Sequence, residues 1–99
     1  MLTSDEILIF LRQNKKYIFD NFYCSDIGLF GSFARNEQTE KSDIDILVRF
    51  SDNAPDLYDL EAGLKDYLKN NLQREIDICS EKWIRPIFRP LVMKEAIYA

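Results

Sequence analysis

Two aspartates one residue apart, Asp43 and Asp45, follow the pair Gly31–Ser32 after an interval of ten residues, and a third aspartate, Asp77, stands further along the chain. On an extended strand, side chains at i and i+2 project to the same side, roughly 6 to 7 Å apart. Asp43 and Asp45 can therefore converge on one ligand. Two carboxylates aimed at one point repel unless a proton or cation lies between them, and a hard divalent ion such as Mg2+ is the usual solution. Gly31–Ser32 would supply a complementary half. Glycine lets a phosphate come close to the backbone, and amides at a helix start, with the serine hydroxyl, can hold it. Taken singly, each feature has a plainer reading: surface aspartates on a solvated strand face, and an ordinary glycine–serine turn. Their combination at this spacing is expected by composition in only about one chain in a thousand of this length.

Composition narrows the chemistry. Histidine is absent from the 99 residues, which removes Ser-His-Asp and Cys-His catalysis and histidine-based zinc sites. Thirteen basic against seventeen acidic residues leave a net charge of −4, so broad nucleic-acid binding, which needs a cationic surface, is not expected. Cys24 and Cys79 form no C-x-x-C ligand pair and read as buried free thiols. No run of about 18 apolar residues is present, and "MLTSDEILIF" lacks a secretory pattern. No membrane association is expected, and the expected location is the cytoplasm. A length of 99 residues, 46% of them hydrophobic, fits one domain over 1–99 with one core.

Several elements must position these groups. Thr3 with Glu6 forms a capping box, and Leu2 with Ile7 a hydrophobic staple. Helical spacing of apolar residues then runs to about Asp20. "DIGLF" reads as a strand entering the Gly31–Ser32 turn, followed by one helical turn and a loop through "FARNEQTEK". In "DIDILVRF", Ile44, Ile46, Val48 and Phe50 take one face and Asp43, Asp45, Leu47 and Arg49 the other. Leu57, Leu60, Leu64, Tyr67 and Leu68 mark a helix stopping at Asn70–Asn71, and "EIDIC" a third strand carrying Asp77. The closing segment should hold a helix starting near Pro86 or Pro90, since proline is tolerated in a first turn. The fold class is α/β (α+β): a small mixed sheet of about three strands with helices packed on it.

With these elements placed, the chain resembles the minimal nucleotidyltransferases, the smallest members of the DNA polymerase β-like superfamily, whose hallmark is GS-x10-D-x-D with a later acidic residue. The resemblance runs through "LFGSFAR", "SDIDILV", "EIDI" and a closing "RP" followed by "KEAIY". It implies that Gly31 and Ser32 hold a nucleoside triphosphate, that Asp43 and Asp45 bind metal, and that Asp77 completes the triad. Where members commonly have glycine after "FAR", this chain has Asn36, and asparagine is the next most tolerant residue of positive φ.

The implied reaction is nucleotidyl transfer from ATP to a hydroxyl with two Mg2+ ions about 3.5 to 4 Å apart, Asp77 also being placed to accept the acceptor's proton. Arg35 is a candidate phosphate contact, or a surface arginine capping its loop. Larger relatives carry added substrate domains, so the acceptor is expected from a partner. Many members of the resembled group sit beside a HEPN-domain ribonuclease toxin and neutralise it by adding AMP to a tyrosine. That antitoxin role is the leading expectation. A non-catalytic antitoxin that masks its toxin, and a transferase for small molecules such as aminoglycosides, are the alternatives. The apolar residues Trp83, Ile87, Phe88, Leu91, Val92 and Tyr98 either pack into the core or meet a partner.

Overall fold

A computed structural model describes residues 2–99; Met1 lies outside them. The first helix begins where the capping box predicts. Thr3 Oγ1 accepts from the Glu6 amide at 3.2 Å and Glu6 Oε1 accepts from the Thr3 amide at 3.2 Å, which starts α1 at Ser4–Gln13. Leu2 packs on the core and Ile7 is fully buried, as a staple requires. The expected continuous helix to Asp20 is instead two. Asn14, the polar residue within the apolar stripe, leaves helical geometry (φ −108, ψ 12), and its side-chain amide donates to the Phe10 carbonyl at 2.9 Å. That local bond competes with the helix ladder. A second helix, α2, runs Lys15–Phe22 and ends at Tyr23 in left-handed geometry.

The sheet contains β1 (Cys24–Phe30), β2 (Ile44–Phe50), β3 (Ile76–Ser80) and β4 (Ile97–Tyr98), in the order β3-β2-β1-β4. β1 is antiparallel to both β2 and β4, whereas β2 and β3 are parallel. A parallel pair needs a long crossover, supplied by α4 (Leu57–Leu72). Asp56 caps α4 by accepting from the Tyr58 amide at 3.0 Å, and the helix ends at Gln73 (φ 55), past the expected Asn70–Asn71 stop. Four strands replace the expected three, because β4 is two residues long and has no pattern of its own. It docks on β1 through Gly28, where a Cβ would lie 2.9 Å from the Ile97 carbonyl oxygen.

One face of the sheet carries the core. Ile27, Leu29, Ile44, Ile46 and Val48 meet Ile7, Leu11, Ile18, Leu64 and Leu68 from the helices, all essentially without solvent contact. Each such side chain contributes roughly 1.5–3 kcal/mol relative to an exposed one, so β2 is firmly seated. On the other face Leu47 is also fully buried, and the 3-10 turn Glu81–Trp83 packs against β2.

The chain then reaches α5, Arg89–Glu95, with Pro90 in its first turn. This resolves the two expected starts in favour of Pro90. No residue of α5 is buried, and Trp83, Ile87, Phe88 and Leu91 are 70%, 80%, 52% and 63% exposed. These four side chains therefore do not pack into the core. Cys24 is buried and Cys79 half-buried, both free; burial pushes the Cys24 thiol up to about 12. Among the described residues no helix is long and apolar enough to cross a membrane.

Candidate active site

Strand register assembles the site at one end of the sheet. Asp45 lies opposite Phe30 on β1 and opposite Asp77 on β3, so the two aspartates are lateral neighbours on the face away from the core. Burial, then the charges of Asp77 and Asp43, raise the Asp45 carboxyl to about 6, and Arg35 acts in the opposite direction. Asp43 precedes β2, is exposed, and reaches Asp45 through its charge.

β1 delivers Gly31 directly beside Asp45. Gly31 has φ +74, and a Cβ there would collide with Asp45 Oδ2 and lie within 2.8 Å of Asp45 Cγ. Only glycine fits, both for its backbone conformation and for this close approach. The short helix α3, Gly31–Ala34, follows with no side-chain cap from its own N-cap residue, Phe30. The Ser32 carbonyl accepts from the Glu37 amide at 2.9 Å. Asn36 adopts the left-handed conformation (φ 58) expected of it, and Ser4 Oγ donates to its side-chain oxygen at 3.1 Å.

Arg35 is engaged twice: Nε with Glu37 at 2.8 Å and a terminal nitrogen with Glu95 Oε2 at 3.0 Å. Glu95 Oε1 also accepts from the Gly31 amide at 2.6 Å. Nothing in "KEAIY" marks Glu95 for this contact, since 64 residues separate it from Gly31. Only the docking of α5 beside α3 brings them together.

The donor set suits a hard cation. Asp45 and Asp77 stand side by side in register across β2 and β3, and a divalent ion would offset the repulsion between their charges. Among the described residues no three such groups converge closely enough to enclose an ion alone. The convergent pair is Asp45–Asp77, with Asp43 alongside, and substrate oxygens would complete the shell, as is common for Mg2+. A groove of about 430 Å³ lined by Lys41, Asp43, Lys69 and Arg74 adjoins this end. Another cavity of about 410 Å³, lined by Arg49, Phe50, Ser80 and Glu81, lies at the opposite end of β2 and β3 and touches none of these aspartates.

A carboxylate pair on parallel strands beside a glycine–serine turn is the arrangement that the resemblance to the nucleotidyltransferases implies. The chain belongs to that family: the family model described as nucleotidyltransferase domain matches residues 7–98. Within the family it is similar to the protein adenylyltransferase MntA of Thermococcus cleftensis, 35% identical over 98 residues that cover 99% of this chain and 97% of the relative. A Methanocaldococcus jannaschii chain provisionally named a protein adenylyltransferase is 38% identical over 99 residues, 99% of each chain. A solved structure provisionally described as a minimal nucleotidyltransferase aligns with TM-score 0.73 at 33% identity, covering 91% of this chain and 93% of that one. The fold is shared at lower identity by two toxin–antitoxin structures. One, described as holding AMP-PNP, is 24% identical with TM-score 0.68, over 98% of this chain and 72% of that one. The other, described as a tri-AMPylated Shewanella oneidensis HEPN toxin in complex with MNT antitoxin, is 21% identical with TM-score 0.57, over 96% and 66%. The chain is thus an enzyme of the nucleotidyltransferase class, with relatives named protein adenylyltransferases.

Proposed function

We propose that this chain moves AMP from ATP to a hydroxyl, that of a tyrosine, on a partner HEPN ribonuclease toxin, and so acts as its antitoxin. The observation that carries this reading is the Asp45–Asp77 carboxylate pair set against Gly31, in a chain whose full-length relatives are named protein adenylyltransferases. The toxin–antitoxin structures that share its fold support the choice of partner and nucleotide. The exposed apolar residues Trp83, Ile87, Phe88 and Leu91 offer a surface for that partner.

Asp43, Asp45 and Asp77 would hold Mg2+, which when bound offsets charge on the triphosphate and leaving pyrophosphate. Gly31 supplies the clearance for the nucleotide at the turn, and the Ser32 hydroxyl and amide bind phosphate oxygens. Arg35, paired with Glu37 and Glu95, would contact phosphate by exchanging one of these partners for it. The acceptor oxygen attacks the α-phosphorus, an O–P bond forms, and the bond to pyrophosphate breaks. Asp77, exposed at the edge of the pair, takes the acceptor's proton. β2, anchored through Ile44, Ile46 and Val48, keeps Asp45 in place throughout.

The test is to incubate the chain with its HEPN partner, ATP and Mg2+ and weigh the partner by mass spectrometry. A gain of one or more AMP units is expected. No gain with any of the four nucleoside triphosphates would sink the catalytic reading and favour inhibition by contact alone.

A further inference from the structure

The geometry points to Glu95 as a positioning residue of the nucleotide site, a carboxylate cap brought from the far end of the chain to the turn that faces Asp45. This inference rests on the nucleotide reading proposed above.

The first amides of a helix have no partner within it, and a preceding Ser, Thr, Asp or Asn commonly supplies one. At α3 the preceding residue is Phe30, which cannot. Glu95 takes that place, accepting from the Gly31 amide at 2.6 Å and from Arg35 at 3.0 Å. A carboxylate bonded to an amide and a guanidinium makes strong, directional contacts. Its side chain is only 17% exposed, so water competes weakly.

The consequence is mechanical. Gly31 holds a positive φ close against the Asp45 carboxylate, and Glu95 fixes the amide of the same residue. It fixes the Arg35 side chain as well, at the other end of α3. With the Gly31 amide already engaged, the donors left for a phosphate are those of Ser32 and the residue after it. By holding Gly31, Glu95 fixes the backbone from which the Ser32 amide is presented.

The test compares wild type with Glu95→Ala and Glu95→Gln. Binding of the Mg2+ complex of a non-hydrolysable ATP analogue is read by calorimetry, and the Gly31 and Ser32 amides by 1H–15N NMR. Glu95→Ala should weaken the analogue roughly 10-fold or more, the range carried by outer positioning groups. Glu95→Gln, which keeps an acceptor oxygen, should recover part of the loss. The Gly31 amide should shift upfield in Glu95→Ala without nucleotide. Equal or tighter analogue binding by Glu95→Ala would overturn the inference, tighter binding meaning that the carboxylate competes with phosphate. An unmoved Gly31 amide would overturn it too. If wild type bound no analogue, the nucleotide reading itself would fall, taking the positioning role with it, and the amide shift would still show whether the cap exists.

Discussion

Asp45 concentrates the physical tension of the site. Its carboxyl sits at about 6 in the folded chain, raised chiefly by burial and next by Asp77, against about 3.9 for an unfolded aspartate. A raised value means that folding favours the protonated form. The contribution is present in full below about pH 4 and is lost as pH rises through about 6. Without metal, Asp45→Asn should therefore melt above wild type near pH 7.5, and the two should converge near pH 4. Thermal melts in chelator check this, and an equal gap at both pH values would contradict it. Gly31 is the second residue under constraint. Gly31→Ala should lose roughly 1–3 kcal/mol, the range for strained backbone, in urea unfolding. Adding Asp45→Ala should restore only part, because the collision is relieved and the positive φ is not.

The elements were legible to different depths, for physical reasons. Thr3 and Glu6 are three residues apart, so the cap of α1 is a local interaction and visible in sequence. Thr3→Ala should cost about 1 kcal/mol, read as a melting point lower by about 4–8 °C for a domain of this size. The alternation in β2 was equally plain, since a half-buried strand writes its period into the residue types. The break at Asn14 was hidden: one polar residue in an apolar stripe fits a continuous helix as well as a broken one. β4 was hidden because two residues carry no period and their pairing depends on Gly28, far away in sequence. The turn from Gly31 to Asn36 was legible, as glycine and asparagine are the residues that tolerate positive φ. Glu95 was not, because its contacts exist only after α5 has docked.

At the scale of the whole molecule, a sheet with its core on one face leaves the other for chemistry. The aspartates gather at one end of that face, and Glu81–Glu95 folds over it without burying its own apolar side chains. Ile87→Asp with Leu91→Asp should leave the melting temperature unchanged, since both residues are exposed, and should abolish partner binding in a pull-down with the purified HEPN protein. A large fall in melting temperature would show that this surface is structural. Whether the aspartates perform nucleotidyl transfer is read from the rate of AMP addition to the partner, by mass spectrometry, for wild type and Asp43→Ala plus Asp45→Ala. Loss of the Mg2+-dependent rate by on the order of 100-fold or more, with partner binding retained, is predicted. An unchanged rate in the double variant would contradict the account.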